Sequence, residues 1–112
     1  MSPDCIFCKI IRREIPGKIA FEDDQVLGFY DIHPAAPVHI LFVPKKHVDS
    51  VTQVPAEEPM VSLLTDRAVK TAQKLGLHPT GFRLLINCGP DAGQEVYHLH
   101  LHLLGGARLS HL

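Results

Sequence analysis

His98-Leu99-His100-Leu101-His102-Leu103-Leu104 is the stretch that decides how this chain folds. Successive side chains of an extended chain turn to opposite faces, so three imidazoles share one face and Leu99, Leu101 and Leu103 share the other. Imidazoles two residues apart on a strand face stand about 7 Å from each other. A helix would scatter the same residues over several faces. The run therefore reads as a strand from Val96 to Leu104, halted by Gly105-Gly106, with one face for packing and one of titratable nitrogen.

The leucine face needs a cover, and the segment from Ala56 to Leu75 supplies it. Apolar residues at 60, 61, 64, 68, 72 and 75 form one helical stripe, with Pro55 or Pro59 in the first turn and Gly76 beyond the end. A short amphipathic helix over Ile6 to Arg13 precedes Pro16-Gly17. Ile19 to Glu22, Val26 to Tyr30, His39 to Val43 and Phe82 to Ile86 read as further strands. Between them lie the proline-set loop Asp31 to Pro37 and the turn Gly89-Pro90-Asp91-Ala92-Gly93. Five strands mostly joined without crossover helices predict an α+β fold, an antiparallel sheet with one long and one short helix, in a single domain over residues 1–112.

Composition narrows the function. The chain has 112 residues with 46% hydrophobic and 21% charged side chains, enough to bury roughly 65% of its unfolded surface without staples. A formal charge of -1 gives no drive toward nucleic-acid polymers. No apolar run approaches the ~20 residues of a membrane span. The Met-Ser-Pro-Asp start lacks the basic and apolar regions of a signal peptide, so a cytoplasmic address is expected. Three cysteines, at 5, 8 and 88, make a poor disulfide framework. The oddity is eight histidines, at 33, 39, 47, 78, 98, 100, 102 and 111. Histidine titrates near neutrality and is the commonest metal ligand, so their number favours chemistry or metal binding.

Two chemistries fit the alternating histidines. They could hold a catalytic Zn²⁺ with an open fourth position. Alternatively, one neutral imidazole attacks as a nucleophile while its neighbours orient it. Asn87 and Gly93-Gln94 just before the strand offer amide donors and close backbone approach, which suits an anionic phosphoryl group. Cys5-Ile6-Phe7-Cys8 is open to three readings: a redox dithiol, two buried thiols, or half of a structural Zn²⁺ site.

The run from His98 to Leu104 resembles the His-x-His-x-His motif of the histidine triad (HIT) family. Ile6-Phe7-Cys8-Lys9-Ile10-Ile11, Glu14-Ile15-Pro16, Phe29-Tyr30-Asp31-Ile32, Pro37-Val38-His39, Val43 to His47 and Gly93-Gln94-Glu95-Val96-Tyr97-His98 are similar to its nucleotide-binding (HINT) branch. The resemblance implies a purine nucleoside phosphoramidase and acyl-adenylate hydrolase that acts as a homodimer with a ten-stranded sheet. The substrate would be a purine nucleoside monophosphate carrying an amine or acyl group. His100 would be the nucleophile that forms a nucleotidyl-histidine, with His98 and His102 completing the triad and His39 orienting it. Asn87, Gly93, Gln94, Glu95 and His102 match phosphate-contacting positions. Ile6, Phe7, Ile15, Phe29, Asp31 and Ile32 match the nucleoside pocket, Asp31 on the ribose hydroxyls.

Some bacterial members that resemble this chain pair an N-terminal Cys-x-x-Cys with two histidines, which implies a structural Zn²⁺ on Cys5, Cys8, His47 and His98. Glu95 stands where animal members have Ser, so only its backbone N–H is expected to matter. The Ser110-His111-Leu112 end replaces their Trp-Pro-Pro-Gly tail, which leaves the leaving group the least transferable property. Cys88 is expected to be a buried thiol, and His33, His78 and His111 to face solvent. A zinc-dependent hydrolase with its catalytic metal on the triad, and a nucleotide-binding module with little activity, are the rival readings.

Overall fold

A computed structural model describes residues 4–111. Its elements are α1 (Ile6–Ile11), β1 (Ile19–Glu22), β2 (Val26–Tyr30), β3 (Val38–Pro44), α2 (Met60–Lys74), β4 (Phe82–Leu85) and β5 (Leu101–Gly105), with 3-10 turns at Val51–Gln53 and Pro90–Ala92. Among the described residues the five strands form one sheet in the order β1-β2-β3-β5-β4, every neighbouring pair antiparallel. This is the α+β class expected from the alternation.

The sheet separates two clusters, and the period of two assigns each side chain to one of them. Val26, Ile40, Phe42, Leu99, Leu101 and Leu103 pack with Met60, Leu64, Ala68 and Ala72 of α2. The alternate residues Leu27, Phe29, Leu41 and Val43 pack with Cys5, Phe7, Cys8 and Ile10 around α1. Gly28 lies where β2 meets the α2 side, and a Cβ there would come within 2.9 Å of Phe42 Cε1. The histidines at 98, 100 and 102 fall on the α1 side, so the site forms between that short helix and the sheet.

Several boundaries differ from the sequence expectation, each for a physical reason. α2 begins at Met60 rather than Ala56, because Pro59 disfavours the α region at Glu58. The Glu58 N–H bonds the Pro55 carbonyl in a separate turn (3.0 Å). Thr71 joins the buried stripe with its hydroxyl on the Arg67 carbonyl, whereas Leu75 at the helix end is exposed. α1 ends at Ile11, with Arg13 in the left-handed region (φ 62°). β5 starts at Leu101 instead of Val96. Leu101 opposes Phe42, so continuing the register would set Leu99 against Pro44, which has no N–H to donate. The Leu99 N–H instead reaches the Val48 carbonyl at 2.8 Å. The facing of the triad survives although its first two members stand outside the ladder.

Candidate active site and metal centre

Cys5 caps the N-terminus of α1, its sulfur accepting from the Cys8 N–H at 3.4 Å. One turn of helix therefore brings both thiols to the same end. They meet His98 from the segment leading into β5 and His47 from the loop after β3. Cys5 Sγ and Cys8 Sγ lie 3.3 and 3.6 Å from His98 Nδ1, Cys8 Sγ lies 3.3 Å from His47 Nδ1, and the two Nδ1 atoms are 3.1 Å apart. All four donor atoms lie within 4.8 Å of one another. Tetrahedral Zn²⁺ with ordinary bond lengths would set N···N at roughly 3.4 Å and N···S at roughly 3.6 Å.

The far sides of both rings fit the same conclusion. His98 Nε2 donates to the Pro44 carbonyl and His47 Nε2 to Asp49 Oδ1, both at 2.8 Å. Those partners only accept, so each ring carries its hydrogen on Nε2 and turns an Nδ1 lone pair inward. Two lone pairs 3.1 Å apart repel unless a cation or a thiol proton lies between them. The residues present fit a structural metal of the Cys₂His₂ kind, with Cys8 and His98 fully buried.

Beside this cluster the other triad members are held in defined tautomers. His100 Nδ1 is 2.7 Å from the His98 carbonyl oxygen, an acceptor, so the hydrogen sits on Nδ1 and the lone pair on Nε2. The Ala35 N–H donates to His39 Nδ1 (3.0 Å), which leaves the His39 hydrogen on Nε2. His39 Nε2 therefore donates to His102 Nδ1 at 2.9 Å, leaving the His102 hydrogen on Nε2. His102 Nε2 is the buried side-chain nitrogen without a hydrogen-bond partner among the described residues. The rings of His100 and His102 are 5.0 Å apart, closer than strand spacing alone predicts. Burial pushes His100 and His39 below the ordinary histidine value and holds His98 and His102 near about 4. The Asp31 charge acts in the opposite sense at His39 and His100. At neutral pH the site thus offers one uncharged imidazole lone pair, on His100, beside one N–H donor, on His102.

His100 and His102 both line a cleft of about 440 Å³, within the ~300–1,000 Å³ of small-molecule sites. Ile6, Phe7, Ile15, Phe29 and Ile32 give it apolar walls, and Ile32 is 85% exposed at the rim. Asp31, Asn87, Gly93 and Glu95 supply its polar side. Asp31 Oδ1 accepts from the His33 N–H (2.8 Å), and Oδ2 lies 3.6 Å from His39 Nε2. Gly93 adopts φ 82°, which lets the turn Gly89–Gly93 close toward the cleft. Gln94 is the exception among the expected nucleotide-binding residues: it is buried behind the turn and does not line the cleft.

His33, His78 and His111 are exposed, as expected. Cys88 is also exposed, which corrects the expectation of a buried thiol; it follows β4 at the open start of the turn, where no element covers it. Sequence reasoning missed Asp49 and the carbonyls of Pro44 and His98. Asp49, two residues after His47, offered a signal; backbone acceptors leave none.

The HIT domain family model matches residues 12–109, and the chain belongs to this family. It is 46% identical over 110 residues to the purine nucleoside phosphoramidase of Escherichia coli K12, covering 97% of this chain and 92% of that protein. A histidine triad protein of Clostridium difficile superposes with a TM-score of 0.97 at 50% identity, over 100% of this chain and 98% of that one. A HIT family hydrolase of Clostridium thermocellum gives 0.95 at 43% identity, over 100% and 98%. These relationships support a nucleotide hydrolase type of function.

Proposed function

We propose that the protein hydrolyses purine nucleoside phosphoramidates and acyl-adenylates through a nucleotidyl-histidine on His100. The observation that carries this reading is the tautomer of His100. Its Nδ1–H donates to the His98 carbonyl, and its Nε2 lone pair is neutral beside the cleft. Nε2 attacks the α-phosphorus; from a phosphoramidate the phosphorus–nitrogen bond breaks and the departing amine takes a proton from solvent, and from an acyl-adenylate the phosphorus–oxygen bond breaks and the carboxylate leaves as the anion. Water then cleaves the phosphorus–imidazole bond, releasing the nucleoside monophosphate and restoring His100. The His102 Nε2–H and the amides of Asn87 and the turn at Gly93 are suited to the phosphoryl oxygens, where a fixed donor contributes about 3 kcal/mol in comparable oxyanion sites. Glu95 contributes through its backbone N–H, because a carboxylate would repel the phosphate. The apolar walls receive the base, and the Asp31 carboxylate accepts from a ribose hydroxyl.

Zn²⁺ on Cys5, Cys8, His47 and His98 would brace α1 against the sheet and hold the His98 carbonyl that orients His100. A catalytic metal on the triad fits less well, because the triad nitrogens do not converge. His98 Nδ1 faces the cysteines, and the Nδ1 atoms of His100 and His102 are engaged by the His98 carbonyl and by His39. We place the protein in the cytoplasm as one domain over residues 1–112. It assembles as a homodimer through an edge of the sheet; β1 and β4 are the two edge strands among the described residues. Sedimentation should then report twice 12.4 kDa.

The test is incubation with adenosine phosphoramidate. AMP release should survive chelation as long as the fold does, and quenching should trap an adenylylated chain. His100→Ala should abolish the adduct and lower turnover on the order of 10⁴-fold or more. Turnover without any adduct, lost on metal removal from folded protein, overturns the mechanism in favour of a catalytic metal. Tight AMP binding with no turnover would make the protein a binding module.

A further inference from the structure

Gln94 has a place in the molecule that neither cleft nor metal centre accounts for. It is 5% exposed, yet every hydrogen of its side-chain amide is engaged. Nε2 donates to the carbonyls of Asp49 (2.8 Å) and Val96 (3.1 Å), and Oε1 accepts from the Gly89 N–H (2.9 Å). Its backbone N–H closes the same turn onto the Gly89 carbonyl at 3.0 Å. Gln94 thus has no side-chain N–H left for a phosphate, and its amide joins two segments 45 residues apart in sequence.

What lies at the two ends gives this clamp a purpose. At one end is the turn Gly89–Gly93, whose conformation depends on positive φ at both glycines (83° and 82°) and whose Gly93 lines the cleft. At the other is Asp49, whose carboxylate fixes His47 Nε2 while His47 Nδ1 faces the cysteines. The path from the metal donors to the turn is continuous, running from His47 through Asp49 and Gln94 to Gly89. Such a chain of packed, hydrogen-bonded groups couples two places only if both bias the same element.

We propose that Gln94 is a positioning residue that makes the shape of the Gly89–Gly93 turn depend on occupancy of the Cys5–Cys8–His47–His98 centre. A bound Zn²⁺ fixes His47 and so the 47–49 segment; the Asp49 carbonyl then holds the Gln94 amide, which holds the Gly89 N–H. Without the metal the segment is tethered only through protein contacts and the turn opens more often. The consequence for phosphate binding rests on the function proposed above, whereas the coupling itself does not.

Hydrogen exchange of the full chain tests it without substrate. Zinc-loaded and chelator-stripped protein are compared in peptides over residues 86–94, with the mostly exposed turn at residues 76–81, which also exchanges by local opening, as the internal reference. Stripping should raise exchange in the 86–94 turn at least about fivefold while residues 76–81 change less than about twofold. Gln94→Glu keeps an oxygen for Gly89 but sets a carboxylate against the Asp49 and Val96 carbonyls, and Gln94→Met removes all three bonds. In either variant the turn should exchange fast even with zinc bound, and stripping should add less than about twofold. Equal turn exchange in loaded and stripped wild type overturns the coupling, as does equal loosening of the turn and residues 76–81. Variants whose turns respond like wild type overturn the role of Gln94. If the variants do not fold, the wild-type comparison alone decides. Failure of the wild type to bind AMP would count against the proposed function and leave the exchange result standing.

Discussion

His39→Ala probes the polarity of the His39–His102 pair, because the direction of that hydrogen bond is set outside the triad. The Ala35 N–H is a donor that never accepts, so it forces the His39 hydrogen to Nε2 and the His102 hydrogen to its own Nε2. His39 is 6% exposed, and its removal leaves His102 Nδ1 a buried acceptor without a donor, a loss of about 1–3 kcal/mol. The larger effect follows if the freed His102 moves its hydrogen to Nδ1. In the proposed complex a lone pair then faces the phosphoryl oxygens where a donor stood. Losing one donor of this kind costs about 2.7–4 kcal/mol, which is about 10²–10³-fold in kcat. Gln at position 39 can still present an N–H near the former Nε2, so His39→Gln should recover to within about tenfold of wild type. AMP release from adenosine phosphoramidate gives the rates, thermal melting verifies folding, and nitrogen NMR of the imidazoles reads the His102 tautomer. A folded His39→Ala protein with kcat within threefold of wild type and His102 still protonated on Nε2 would refute the reasoning. So would a folded His39→Gln protein as slow as His39→Ala.

The pH profile follows from burial. In the proposed mechanism the attacking form of His100 is neutral, and burial lowers its pKa below the usual 6.5, so the acid limb of kcat/KM should be centred below pH 6.5. An acid limb centred at 6.5 or above contradicts a desolvated nucleophile. Metal content gives a separate check: protein purified without added metal should carry about one Zn per chain. Metal held a thousandfold above its Kd contributes about 4 kcal/mol. For 112 residues that predicts a Tm lower by more than about 10 °C on chelation or in Cys8→Ser, measured by calorimetry. Metal-free protein with an unchanged Tm would remove the structural centre.

Legibility tracked the kind of interaction. Side-chain periodicity was readable throughout, because alternation alone separates Leu99, Leu101 and Leu103 from the histidines, and both faces are as the pattern requires. The stripe of α2 was readable for the same reason, although its first turn was not, since Pro55 and Pro59 each suit a helix start. Cys5 and Cys8 were readable as a pair through their spacing. Their meeting with His47 and His98 was not derivable from it, because sequence separations of 39 and 93 residues carry no geometry, and the ligand set came from resemblance. The tautomers were invisible for a deeper reason. They are set by the Ala35 amide and the carbonyls of His98 and Pro44, backbone groups of which every residue type presents the carbonyl and every type but proline the amide.

Proline is also why the two sites can share one strand. Had the β5 ladder continued to Val96, the Leu99 N–H would reach for the Pro44 carbonyl and compete there with His98 Nε2. Pro44 lacks the N–H that the register requires opposite Leu99, so the ladder stops at Leu101. The same residue's carbonyl accepts from His98 Nε2 and turns the His98 Nδ1 lone pair toward the cysteines. The His98 carbonyl, on the side of the chain away from β3, holds His100 Nδ1–H and leaves Nε2 unprotonated. The irregular start of β5 is therefore a condition for the orientation of the His98 ring. His98 serves the candidate metal centre with its ring and His100 with its backbone, and a fully paired strand would compete for the first role.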